Sequence, residues 1–404
     1  MSDRRKFIKQ ISALVPAVSA INFSYANFQA IEKNFEQNKD RDPKEVARDE
    51  DYWRPIQQCY DPSPHFINLE NGFYSPATKA VMEAFWDNAK RINQLTSFYM
   101  RRMDSDDRFN TRKLLAEYAG VDVNELLITR STTESLDTVI MGLDVKPDEE
   151  MIIAESDYPN MLAAFSLREK RYGLKLNRIK IPQTPKSPEE ITECYRKAIT
   201  PKTKYILLTH VINMNGQILP VAEITRMAHE QEIEVICDAS HSYALLDYKI
   251  SDLNCDYYAT SLHKWMGAPV GTGLLHIKKD KIKKVWPLFG DYGHDEDDIR
   301  KFERIGTYPA AIYVSIANAL KFHQFIGTKF KEERLRYLKD YWSQKVVNFP
   351  KLKFHTPLDE KQSCAISLFS IEGKSQFETA DYLFDKHRIF TVAYDRGGFT
   401  GVRV

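Results

Sequence analysis

The chain has 404 residues, 43% of them hydrophobic, so it can bury a sizeable core and suits one large domain with a smaller companion better than a string of modules. Lys and Arg number 57 against 56 Asp and Glu, which leaves no positive field to gather nucleic acid and points to a small-molecule partner. The five cysteines, Cys59, Cys194, Cys237, Cys255 and Cys364, are scattered with no CxxC and no histidine at ligand spacing, which argues against a zinc site and a disulfide framework.

At the N-terminus, Arg4-Arg5-Lys6-Phe7-Ile8-Lys9 precedes an apolar stretch from Ile11 to Phe23 that is short for a membrane span. The arrangement over residues 1–26 resembles a twin-arginine export signal, with Asp3 where Ser or Thr is usual, and with candidate cleavage sites at Val18-Ser19-Ala20 and Ser24-Tyr25-Ala26. Export to the periplasm, by a route that carries already folded proteins, is the expectation. The alternative is an amphipathic extension on a cytoplasmic protein. No longer apolar run follows, so stable membrane insertion is not expected. Residues 27–64 are polar, nearly free of glycine, and read as a helical lead-in ending at Asp61-Pro62-Ser63-Pro64.

From His65 onward short apolar runs alternate with helical patterns. Leu126–Thr129, Met151–Glu155, Leu176–Ile181, Tyr205–His210, Ile233–Asp238, Tyr257–Ser261 and Gly273–Ile277 are strand candidates. Thr133–Leu143 and Val221–His229 carry helical spacing between them. Runs such as Tyr205-Ile206-Leu207-Leu208 are apolar on successive residues, as strands buried on both faces must be. The pattern predicts an α/β fold over residues 65–307, with a mostly parallel seven-stranded sheet flanked by helices. Beyond it, helices over Pro309–Phe325 and Lys329–Lys345, a strand at Ala365–Ser370, a helix near Phe377–His387 and a strand at Ile389–Tyr394 predict a smaller α+β domain over residues 308–404.

Two predicted strand ends carry the chemistry: Val235-Ile236-Cys237-Asp238-Ala239-Ser240-His241, and Tyr257-Tyr258-Ala259-Thr260-Ser261-Leu262-His263-Lys264-Trp265. In an open α/β sheet the carboxyl ends of strands share one edge, so an acid and an amine would face one pocket. Taken alone, Lys264 is an ordinary exposed lysine after a strand; Asp238 and His241 beside it argue otherwise.

A strand ending in Asp-x-x-His followed by Ser-x-His-Lys resembles the cofactor site of class V aminotransferase-fold enzymes, the pyridoxal-phosphate (PLP) group of fold type I that includes isopenicillin N epimerases and cysteine desulfurases. The resemblance runs from about His65 to the last residue. It implies PLP bound as an imine on Lys264, whose amine, once displaced, serves as base at the substrate Cα. Asp238 would pair with the pyridine nitrogen and keep it protonated, His241 would approach the ring hydroxyl, and Ser261 and His263 would reach the phosphate.

Further positions carry over. Thr129-Arg130-Ser131-Thr132-Thr133-Glu134-Ser135 stands where a strand ends and a helix begins, a natural phosphate cradle, although such a cluster is commonly only an N-cap. The resemblance assigns Thr133 to the phosphate with Thr132 close by, and Gly306-Thr307 to the phosphate of a second subunit, hence a homodimer with shared sites. Tyr158 falls where an aromatic ring covers the cofactor; otherwise it is a packed residue at a strand end. Asn213 would help seat ring and substrate. Asn71 and Tyr74 would border the substrate pocket, or act only as turn residues. Arg403 resembles the arginine that grips a substrate carboxylate, so the partner is a small amino-acid-type molecule. The chain stops one residue later, where the resemblance implies another strand and a closing helix, so the expectation is a truncated small domain with Arg403 poorly fixed.

Cysteine desulfurases need a nucleophilic cysteine on a loop before that arginine, and Phe390–Gly398 contains none; Cys364 reads as a packed core thiol. Desulfuration is therefore not expected. The Asp238-x-x-His241 variant, the Asn71-Gly72-x-Tyr74 loop and the export signal point to the isopenicillin-N-epimerase-like branch, which begins with Cα deprotonation and ends in epimerisation, elimination or transamination. An exported, non-catalytic ligand-binding member of the fold is the alternative from another class. Against it, a pure binder needs no imine-forming lysine. The acidic run Asp291–Asp298 lacks ligand spacing, so no metal site is expected. No GxGxxG, Walker or GxSxG pattern offers a competing chemistry.

Overall fold

The computed structural model describes residues 26–404, so the export-signal reading of residues 1–26 lies almost wholly outside the described residues. The first strand, β1 (Ile67–Asn68), is short. The next seven are β2 (Leu126–Thr129), β3 (Glu150–Ala154), β4 (Lys175–Ile179), β5 (Thr203–Thr209), β6 (Glu234–Asp238), β7 (Tyr257–Ser261) and β8 (Gly273–Ile277), and they form one sheet in the order β2-β8-β7-β6-β5-β3-β4. All neighbours are parallel except at β8, which runs antiparallel to β2 and to β7. Each strand lies within two residues of its predicted bounds.

The reason is visible residue by residue. Along β5, Ile206 and Leu208 enter one core and Tyr205 and Leu207 the other; along β6, Val235 and Cys237 divide likewise from Ile236. Strands buried on both faces have no polar register to adopt, and each fully buried Leu or Ile contributes about 1.5–3 kcal/mol as an upper figure. Helices Thr132–Gly142 and Pro159–Tyr172 cover one face. Helices Asp104–Ala119, Pro188–Ala198, Val221–His229 and Ala310–Ile326 cover the other. The last of these lies beyond residue 307, where the sequence pattern changes, yet Tyr313, Ile316 and Leu320 pack into the core of the large sheet.

The lead-in is helical. Helices Ala26–Asn38 and Glu50–Gln57 bring Phe28, Ile31, Trp53 and Ile56 against Phe322 and Phe325, a separate aromatic core that ties residues 26–59 to helix Ala310–Ile326.

The C-terminal region adds β9 (Leu352–Phe354), β10 (Leu368–Ile371), β11 (Ile389–Phe390), β12 (Val392–Arg396) and β13 (Phe399–Arg403). Four of these make an antiparallel sheet ordered β12-β13-β10-β9, while β11 pairs in parallel with β1. Helix Gln376–His387 starts on a reciprocal cap between Ser375 and Glu378. Sequence reading missed β9 and β13. The hairpin β12–β13 turns at Gly397-Gly398, both at positive φ, a connection that needs glycine.

Candidate active site

The carboxyl ends of β5, β6 and β7 lie side by side, with Thr209 paired to Asp238 and Asp238 to Ala259. Asp238 and Lys264, drawn together from separate stretches of sequence, thus open onto one cavity of about 230 Å³, lined also by Thr132, Thr133, Tyr158, Ser261 and His263. The β2 end reaches the same place because the chain turns tightly over Gly273, where a β-carbon would sit 2.7 Å from the Ser131 nitrogen. Helix Thr132–Gly142 therefore starts against β7: the Thr132 N–H donates to Ser261 Oγ at 2.9 Å, and the two hydroxyls lie 2.8 Å apart. Ser131 is the N-cap, accepting from Glu134 N. The commoner N-cap role is thus filled by Ser131, and the Thr133 N–H stays free of an intrahelical partner.

Asp238 is buried, 2% exposed. Its Oδ1 accepts from the Ser240 N–H at 2.9 Å and the Ser240 hydroxyl at 2.5 Å, and that hydroxyl lies 2.9 Å from Thr132 Oγ1. Oδ2 has no partner among the described residues. Lys264 is half-buried with its Nζ 3.1 Å from His241 Nε2. Burial lowers its pKa from 10.5 to about 8 against the opposing pull of Asp238. Burial, and then the Lys264 charge, hold the His241 imidazole well below its ordinary value, hence neutral. His263 is fixed by Nδ1 at 3.0 Å from the Thr272 carbonyl and stacks on Tyr74 at 5.1 Å between ring centroids.

A second cavity of about 670 Å³ opens on the other side of Lys264, between the large sheet and the C-terminal hairpin. Lys264, His241 and Tyr158 line it together with Asn213, Phe377, Tyr394, Arg396 and Arg403. Asn213 sits on a loop held by Gly216, whose φ of +73° and contact with the Ile366 carbonyl leave no room for a side chain.

Of the residues singled out in the sequence, Thr132, Thr133, Tyr158, Asn213, Asp238, His241, Ser261, His263, Lys264 and Arg403 line these two cavities. Three, Tyr74, Asn71 and Arg403, are found otherwise than expected. Tyr74 borders the smaller cavity, against His263, rather than the larger one. Asn71 lines neither cavity: its amide donates to the Asn68 carbonyl and accepts from the Asn68 side chain, both at 2.9 Å, which is the turn role. Thr307, which the resemblance assigns to the site of a second subunit, is exposed and lines neither cavity of this protomer. Arg403, expected to be poorly fixed, is 3% exposed and firmly held. Its guanidinium donates to Glu70 from two nitrogens and to the Asn213 carbonyl at 2.6 Å, and it lies over the Tyr394 ring at 4.8 Å. Glu70, Tyr394, Arg396 and Ser240 were missed in the sequence. Only Ser240 carried a signal there, inside the Asp238–His241 run.

The donor set fits PLP. A lysine amine, a carboxylate oxygen and a helix N-terminus are the groups that would hold its aldehyde, ring nitrogen and phosphate. Beside them, in the wall of the larger cavity, His241 and Asn213, both less than 10% exposed, keep Nδ1 and Oδ1 without a partner, which marks a polar ligand there too.

Sheet order, the reversed β8 and this lysine–aspartate pair define a PLP-dependent enzyme of fold type I. The chain belongs to the aminotransferase class V family, whose model matches residues 76–393. It is similar to isopenicillin N epimerase of Streptomyces clavuligerus, 24% identical over 81% of this chain and 86% of that one. It is also similar to a cysteine desulfurase of Haloferax volcanii, 26% identical over 76% of this chain and 75% of that one. Among solved structures, a lysine-to-alanine mutant of C-DES with glycine covalently linked to its PLP cofactor superposes with a TM-score of 0.74 at 20% identity, covering 84% and 91% of the two chains.

Proposed function

We propose that this enzyme removes the α-proton of an amino-acid-type substrate, in the manner of the isopenicillin-N-epimerase-like branch. The observation that supports it is the Lys264 amine, poised between the two cavities with a pKa brought down to about 8. Bound in the smaller cavity, PLP supplies an electron sink for the pair left at Cα. Asp238 holds the ring nitrogen, with Ser240 fixing the carboxylate rotamer. Helix Thr132–Gly142, Ser261 and His263 hold the phosphate. Neutral His241, 3.1 Å from Lys264 Nζ, accepts its hydrogen bond and aims the amine. Freed from the cofactor, that amine takes the proton from Cα.

In the larger cavity Arg403 receives the α-carboxylate. A guanidinium has five N–H groups, and Glu70 and Asn213 take three, leaving two for one carboxylate. Glu70 is thus a positioning residue. No cysteine lines either cavity, and Cys364 is fully buried with its thiol pushed up to about 12, so the reading does not route sulfur through a cysteine. A homodimer belongs to the same proposal. Thr307 is exposed, as are the apolar side chains of Trp286 and Phe289, which line one surface pocket and would be covered by a second copy. Export through Arg4-Arg5 is proposed likewise; no helix among the described residues is long and apolar enough to cross a membrane.

The test is loss of the Cα proton signal of amino acids incubated with the enzyme in D2O, followed by NMR. Exchange by the wild type that Lys264→Ala lacks supports the reading. No exchange with any amino acid by PLP-loaded protein overturns it.

A further inference from the structure

The larger cavity holds a charge that the α-proton chemistry leaves unused. Arg403 and Arg396 sit at opposite ends of the hairpin β12–β13. Val392 pairs with Arg403 and Arg396 with Phe399. Paired residues share a face and alternate residues return to it, so Val392, Tyr394, Arg396 and Arg403 project from one face of the hairpin, and all four line the cavity. Four residues of strand separate the two arginines by about 13 Å along the hairpin.

Their electrostatic states differ. Arg403 is buried and neutralised by Glu70. Arg396 is exposed and forms no ion pair among the described residues. Its neighbour Asp395 is engaged across the turn, accepting from the Thr400 hydroxyl at 3.1 Å. The ring of Tyr394, which lies against Arg403, and those of Tyr158 and Phe377 line the same cavity. Arg396 acts on both phenols, offsetting part of the burial that raises them. The volume, about 670 Å³, far exceeds what the backbone portion of an amino acid fills.

We propose that Arg396 is a specificity-determining residue that binds a second carboxylate on the side chain of the substrate, so that this enzyme takes dicarboxylic amino acids. The inference rests on the α-proton reading above and names its substrate class. The α-carboxylate goes to Arg403 at the closed end, the Cα proton faces Lys264, and the side chain runs past Tyr394 to Arg396 at the mouth.

The experiment measures binding apart from turnover. Calorimetric titration of PLP-loaded enzyme with α-methylglutamate and α-methylglutamine, which have no Cα proton to lose, compares a side-chain carboxylate with its near-isosteric amide. The wild type is expected to bind the acid about tenfold more tightly, the effect of one charge-assisted pair at a cavity mouth. Arg396→Gln is expected to bring the ratio to about one, and Arg396→Lys to restore part of it. Equal binding of acid and amide by the wild type, or a preference that survives in Arg396→Gln, overturns the proposal. The two readings fail separately: neutral amino acids that exchange their Cα proton without any preference for acids sink only the role of Arg396, whereas no exchange at all sinks the α-proton reading.

Discussion

The floor and the roof of this active site are built by different rules. The floor is the carboxyl edge of the parallel sheet, where Asp238, Ser261 and Lys264 follow strands whose every residue is buried. The roof is the antiparallel hairpin β12–β13, joined by Glu70 from the segment after β1. Floor residues are placed by a buried register that tolerates no slip, so they suit chemistry that demands fixed distances. Roof residues offer charges, Arg403 from a mostly buried strand and Arg396 from a partly exposed one, which suits the choice of substrate. Mutations in the floor should therefore lower kcat, and those in the roof should raise KM.

The sharpest break is Lys264→Ala, which removes the proposed base and attachment point together. Cα exchange should fall by 10³-fold or more, the general-base contribution of about 10²–10⁴ being only part of the loss. Next, Asp238→Asn should leave PLP captured but cost about 3 kcal/mol in the transition state, close to a hundredfold in exchange rate at unchanged KM. On the roof, Glu70→Gln leaves Arg403 buried without its counter-ion. It should lower stability by about 3 kcal/mol in denaturant unfolding, and raise KM more than it lowers kcat. If Glu70→Gln instead lowered kcat alone, the division between floor and roof would fail.

The pH profile sharpens the same comparison. The neutral amine is the reacting form, and burial lowers the Lys264 pKa from 10.5 to about 8. Capture of PLP by apoenzyme should accordingly rise about tenfold per unit up to a bend near pH 8, read by stopped-flow absorbance, and level off above it. A bend near 10.5 would mean that the amine is solvated. The mildest change, Ser240→Ala, deletes the hydroxyl that joins Asp238 to Thr132 and should cost about 1 kcal/mol, roughly fivefold in kcat.

How much of this could be read in the sequence follows the same divide. Runs such as Ile206-Leu207-Leu208 announce a doubly buried strand, and Asp238 and Lys264 follow from counting to the strand ends. Phe399–Arg403 gave no such signal: Gly401 breaks the apolar run, and the strand exists because it pairs with both β12 and β10. Glu70 was illegible because its partner Arg403 is 333 residues away, and no local pattern reports that contact. For Asn71 the turn alternative holds rather than the pocket one, since a motif residue in a turn is claimed first by the nearest backbone, here that of Asn68.

The placement of Lys264 carries the whole account, and it has a rival within the chain. Lys331 also has a pKa lowered by burial, to about 7, but its amine donates to the Trp265 carbonyl and lines neither cavity. Borohydride reduction of the PLP-loaded enzyme, followed by peptide mass mapping, distinguishes them. The account predicts a single pyridoxyl adduct on the peptide bearing Lys264, together with loss of visible absorbance; an adduct on Lys331, or on no lysine, would contradict it.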